Sequence, residues 1–136
     1  MSRPLMVLSV VLAMVAGALL NGLRPAEAED AASGTSALST HVLDAAAGTP
    51  VGGVPVKLEQ GGAVVAQGKT DKDGRLALGP ESLAPGTYRL TFDIHAIYVQ
   101  SFYPEIAITF RVAVPQSHLH LPILLSPFAY STYRGS

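Results

Sequence analysis

Four side chains of this chain can take or give a proton near neutral pH: the imidazoles of His41, His95, His118 and His120. His118 and His120 are two residues apart, so in an extended segment they share a face with Pro122. Leu119, Leu121 and Ile123 then turn the other way and can fill a core. The histidine face is open to water, a partner or a ligand, and a solvated pair on an exposed strand satisfies the same pattern. His-x-His is also a metal-ligand spacing, and His41 is available as a third donor. A zinc site needs a third or fourth ligand, and with no cysteine in the chain the expectation is no metal. His95 lies in an irregular stretch and is given no role. Arg75 follows the turn glycine Gly74, where a guanidinium can clamp a carbonyl or an oxyanion, or simply be solvated. The closing Tyr133, Arg134, Gly135 and Ser136 bring an aromatic, a cation and a hydroxyl where tails are usually ragged and polar.

For distant residues to act together, strands must carry them. Short alternating apolar runs, separated by Gly, Pro and Asp clusters at near-regular spacing, predict a small all-β sandwich or barrel. The runs are 38–44, 54–60, 63–70, 75–78, 87–93, 105–114, 118–125 and 129–133, eight strands in all. Val54, Val56 and Leu58 share a face, as do Tyr88, Leu90 and Phe92, and Ile106, Ile108, Phe110 and Val112. Gly61-Gly62 predicts a tight hairpin, and Asp71-Lys72-Asp73-Gly74 a turn whose last residue can take positive φ. Residues 45–53 read as a loop. Residues 94–103 lack a clean period and hold at most one turn of helix. No internal repeat, GxGxxG, P-loop or GxSxG motif is present.

The absence of Cys excludes disulfides, thiolate zinc sites and Cys nucleophiles. A net charge of −1 gives no electrostatic reason to expect nucleic acid as a partner. The first 28 residues read as a secretory signal. Arg3 supplies the positive end, residues 5–20 are almost wholly apolar, and Ala26-Glu27-Ala28 gives the small-x-small pattern of a cleavage site. The apolar run is shorter than the ~20 residues of a membrane span, and a retained anchor is the other reading. Either way the folded part lies outside the cytoplasm, and a periplasmic protein with no membrane contact after cleavage is expected. Loss of Arg3, Arg24 and Glu27 with that segment leaves a net charge of −2. Residues 29–36 read as a disordered linker, and residues 37–136 as the domain.

Two segments resemble the transthyretin-like family of 5-hydroxyisourate hydrolases. They are Leu38-Ser39-Thr40-His41-Val42-Leu43-Asp44 (LSTHVLD) and residues 118–136 (HLHLPILLSPFAYSTYRGS), whose YRGS ending is similar to the family's C-terminal signature. Between them GTPVGGVPVKL, KTDKDGR, LAPGTYRLTFD and SFYPEI resemble the family in order, so the likeness covers nearly all of 38–136. Other prealbumin-like modules, mostly adhesive or accessory, share the middle rhythm. The histidine segments and the terminal tetrapeptide separate the readings, because hormone-carrying transthyretins lack them. The stretch 94–100 looks about one helical turn shorter than in typical members.

The resemblance implies a prealbumin-like eight-strand sandwich with at most one short helix. It also implies hydrolysis of 5-hydroxyisourate to 2-oxo-4-hydroxy-4-carboxy-5-ureidoimidazoline, in urate degradation, without cofactor or metal. It carries the catalytic roles onto His41, Arg75 and His120. Tyr133, Arg134, Gly135 and Ser136 would complete the substrate pocket, with His118 supporting from behind. It further implies a homotetramer, a dimer of dimers, with sites in the cleft between dimers. A non-enzymatic exported ligand-binding module of the same sandwich is the alternative, and a cell-surface structural domain a third.

Overall fold

The computed structural model describes residues 35–136. The expected signal 1–28 and most of the expected linker lie outside the described residues. The domain is all β, with nine strands: β1 (Leu38–Asp44), β2 (Thr49–Pro50), β3 (Pro55–Gln60), β4 (Ala63–Lys69), β5 (Arg75–Leu78), β6 (Gly86–Asp93), β7 (Glu105–Val112), β8 (Leu119–Ser126) and β9 (Ala129–Thr132). One sheet runs β2-β1-β8-β9, with β5 also paired to β1. The other runs β4-β3-β6-β7.

Eight of these strands fall on the alternating runs, and the ninth, β2, lies inside the stretch expected as a loop. Thr49 and Pro50 pair with Asp44 and Leu43. Two residues of extended chain carry no periodicity, so only the partner strand reveals them. Residues 94–103 form two successive hydrogen-bonded turns rather than a helix, with the Tyr98 and Ile97 N–H groups donating to the Ile94 carbonyl at 2.8 and 3.0 Å and the Ser101 N–H to the Tyr98 carbonyl at 3.1 Å.

The core lies between the sheets. The period-2 faces meet there: Val54, Val56 and Leu58 from β3 and its lead-in, and Tyr88, Leu90 and Phe92 from β6. Leu38 and Val42 from β1, and Leu119, Leu121, Ile123 and Leu125 from β8, cover them from the other side. Burying a large aliphatic side chain contributes roughly 1.5–3 kcal/mol, which is what holds each strand's face inward. Thr40 is the polar residue in that layer of β1, and its Oγ1 donates to the Leu121 carbonyl at 2.6 Å. It thereby stitches β1 to β8 with its hydroxyl satisfied.

The β1–β8 pair is parallel and in register from Leu38 with Leu119 through Asp44 with Leu125. Pro122 sits inside this interior strand, a place usually closed to proline. The β8 groups that bond β1 belong to odd-numbered residues: the Leu119 N–H donates to the Ala37 carbonyl and the Ala45 N–H to the Leu125 carbonyl, both at 2.7 Å. The nitrogen of Pro122 therefore faces the β9 side, where the ladder is interrupted. Regular pairing ends at Ile123 with Thr132 and resumes as one bridge between His120 and Gly135.

Candidate active site

On β1, Leu38, Thr40 and Val42 are buried, so Ser39 and His41 project from the outer face of the five-stranded sheet, both half-buried. His41 lies opposite Arg75 of β5 on one side and opposite Pro122 of β8 on the other. Ser39 lies opposite His120. Cross-strand partners share a face, so His41, Arg75 and His120 stand together on three adjacent strands, within a width of about 10 Å. The chain separations are long, and two strand registers close them.

The turn before β5 aims Arg75. Asp71 Oδ1 accepts the N–H groups of Asp73 and Arg75, each at 2.9 Å, and the Asp71 N–H donates to the Arg75 carbonyl at 2.8 Å. Gly74 holds φ of +73°. A Cβ there would lie 2.5 Å from the Val42 carbonyl oxygen. The Gly74 carbonyl in turn accepts the Val42 N–H at 2.8 Å, which locks the turn to β1. Only glycine fits both the conformation and the close approach.

His120 is held on two sides. Its Nδ1 lies 2.8 Å from the Ser39 hydroxyl, and the Gly135 N–H donates to its carbonyl at 2.8 Å. A Cβ at Gly135 would fall 2.7 Å from His120 Cδ2 and 3.3 Å from Cγ, so the tail backbone lies directly against the ring. Burial pulls the His120 pKa below its ordinary value, and the positive charges of Arg75 and His41 pull it further. A hydrogen bond to the Ser39 backbone acts the other way. His120 is therefore neutral at neutral pH and carries a free lone pair, as a proton acceptor must.

The tail divides. Extending the β8–β9 register puts Tyr133 opposite Pro122 and Gly135 opposite His120, on the histidine face. Arg134 alternates away from it and lines a groove of about 220 Å³ with Phe110, Arg111, Val112, Leu119 and Leu121. Ser136 is exposed. His118 is exposed just before β8, and no hydrogen bond joins it to His41 or His120. His95 lies in the turn region, its N–H donating to the Pro104 carbonyl at 2.9 Å. Among the described residues no three His, Asp or Glu side chains converge as a metal site would require. Pro122, expected on an offered face, is buried, flanked by β1 and the tail. The resemblance gave Ser39 no role, although alternation along the strand puts it on the His41 face. Alternation assigns a residue to a face, whereas its partner across the sheet needs the register.

Among the described residues, grooves of about 490, 430 and 220 Å³ are lined by other side chains than His41, Arg75 and His120.

A protein-family model described as HIUase/Transthyretin family matches residues 38–135. The 5-hydroxyisourate hydrolase of Salmonella typhi is 44% identical over 115 residues, covering 77% of this chain and 85% of that protein. The structure of Klebsiella pneumoniae 5-hydroxyisourate hydrolase superimposes with a TM-score of 0.67 at 39% identity, covering 74% of this chain and 99% of that one. Sea bream transthyretin, solved in complex with thyroxine, superimposes with a TM-score of 0.65 at 30% identity, covering 73% and 94%. The match spans both histidine strands, the Asp-Gly turn and the tail as far as Gly135, and the chain belongs to the HIUase/Transthyretin family.

Proposed function

We propose that this chain hydrolyses 5-hydroxyisourate, opening its six-membered ring to give 2-oxo-4-hydroxy-4-carboxy-5-ureidoimidazoline. The observation that carries the reading is the meeting of two imidazoles and a guanidinium on one sheet face, with one imidazole held neutral. Hydrolysis of a cyclic amide needs a base to take a proton from water, an acid to give one to the leaving nitrogen, and a cation or donor for the oxyanion. His120 takes the proton as water attacks the ring carbonyl. Arg75 faces the oxygen that gains charge. His41 hands a proton to the departing nitrogen as the C–N bond breaks, and no cofactor enters. Tyr133 and Gly135 border the face, and Arg134 and Ser136 reach it from a neighbouring copy or by tail movement.

That His41, Arg75 and His120 line none of these grooves supports assembly as a homotetramer whose paired copies wall the cleft. Among the described residues β9 pairs with β8 alone and all four of its residues are exposed, an edge that needs covering. Arg3, the apolar residues 5–20 and Ala26-Glu27-Ala28 support export to the periplasm with cleavage after Ala28.

The decisive assay follows the absorbance of freshly generated 5-hydroxyisourate with and without purified protein. Faster decay is expected. An unchanged decay with saturable ligand binding would instead make the chain a carrier module. Light scattering reads the assembly, a tetramer expected and a monomer overturning it. N-terminal sequencing of protein from the native host reads the cleavage site, with residue 29 as the expected first residue.

A further inference from the structure

The His120 ring is contacted at both edges that flank its Cγ. Nδ1 lies 2.8 Å from the Ser39 hydroxyl, and Cδ2 lies where a Gly135 Cβ would be 2.7 Å away. The far edge, Cε1 and Nε2, is the one left for chemistry. Turning the ring over would put a C–H against the hydroxyl and a nitrogen against the glycine backbone, losing the bond and gaining nothing. The two contacts come from β1 and the tail, on opposite sides of β8, so they act as independent jaws. Strand alternation alone gives Ser39 no role, and the family resemblance makes Gly135 only pocket lining.

We infer that Ser39 and Gly135 are positioning residues that fix both the orientation and the tautomer of His120. In the inferred arrangement the proton of the neutral ring sits on Nδ1, the Ser39 oxygen accepts from it at 2.8 Å, and the lone pair on Nε2 points out from the sheet. A neutral imidazole has one donor and one acceptor nitrogen, and the partner of one decides the state of the other. Gly135 acts sterically, because its backbone closes the Cδ2 side at a distance no side chain permits. The tail's contribution to the site is thus its missing Cβ as much as any functional group it carries.

This rests on the hydrolase reading for its kinetic consequence but not for its structural one, and the test separates them. Long-range proton–nitrogen NMR of the purified full chain reads the His120 tautomer without substrate. Wild type is expected in the Nδ1–H form. Ser39→Ala is expected to populate both tautomers, and Ser39→Thr, which keeps a hydroxyl, to restore the wild-type signals. Gly135→Ala is expected to shift the His120 ring resonances while the rest of the spectrum holds. With freshly generated 5-hydroxyisourate, Ser39→Ala and Gly135→Ala should each lower kcat roughly tenfold with KM little changed, since a misaimed base slows chemistry rather than binding. An Nε2–H wild type, or a Ser39→Ala protein with the wild-type tautomer and kcat, overturns the inference. A wild type that hydrolyses nothing overturns the function alone, and the tautomer of Ser39→Ala still decides the clamp.

Discussion

Two regions of this domain differ in what they offer. The groove of about 490 Å³ between the β6–β7 connection and the β8–β9 hairpin is lined by Asp44, Tyr98, Ser101 and apolar residues including Ile97, Leu125 and Phe128. It is roomy and contains no imidazole or guanidinium. The Tyr98 hydroxyl donates to Asp44 Oδ2 at 2.8 Å, so its two titratable groups are already engaged with each other. The histidine face lies outside that groove, yet it gathers two imidazoles and a cation. Room without a proton acceptor binds at most, whereas chemistry without walls can be completed by a second copy. The charge-bearing set therefore locates the site.

The largest expected effect separates the two regions directly. His120→Ala and His41→Ala should lower kcat/KM by about 10²–10⁴-fold, and Arg75→Ala by about 10²–10³-fold. Tyr98→Phe and Phe128→Ala should leave the rate at the wild-type level. A groove variant as damaging as His120→Ala would reverse the comparison.

Next in size is the turn that aims Arg75. Gly74→Ala meets both positive φ and the Val42 carbonyl, and should destabilise the domain by about 2 kcal/mol or more in urea unfolding. Gly48→Ala is the matched control, with φ of +74° but nothing within 4 Å. Its cost should stay near 1 kcal/mol. Equal losses would remove the close approach as the reason for Gly74.

A smaller effect sharpens the electrostatics. The His120 pKa lies below the ordinary 6.5, first from burial and then from Arg75 and His41. The neutral ring is the working form, so kcat/KM should fall on acidification through a midpoint below 6.5. Arg75→Ala removes one lowering charge, so the NMR midpoint of His120 should rise toward 6.5 while burial keeps it short of that value. The same depression means the unfolded chain binds more protons than the folded one between the two pKa values. This histidine's contribution therefore makes stability decrease as pH falls from about 6.5 through its folded pKa.

The smallest effect lies in the groove. The Asp44 carboxyl is held below its usual range first by the Ala47 N–H and then by the Tyr98 hydroxyl. Tyr98→Phe should raise the Asp44 titration midpoint and cost at most about 1 kcal/mol, with thermal unfolding as the check. A larger loss would make this clasp a structural element rather than a surface contact.

The faces of the strands were legible in the sequence. That Leu119, Leu121 and Ile123 point inward while His120 points outward follows from a period of two, a property of the extended backbone at every residue. The Gly61-Gly62 hairpin was equally local, and both glycines take positive φ. β2 was not legible, because two residues hold no period and Thr49–Pro50 is extended only by pairing with the end of β1. The burial of Pro122 was hidden for a related reason, since alternation gives the side of a sheet but not what covers it.

The chain by itself determined which residues are able to transfer a proton or hold a charge, and on which side of each strand they stand. It did so because side-chain chemistry and backbone alternation are both local. Tertiary structure decided that His41 would have Arg75 on one flank and His120 diagonally across on the other. It also decided that a serine two residues before the first histidine would hold the ring of the last, and that the tail would split, with Gly135 on the ring and Arg134 turned away. Those relations are strand registers between segments up to 81 residues apart. A register is set by how whole faces bury against one another rather than by any residue's own preference.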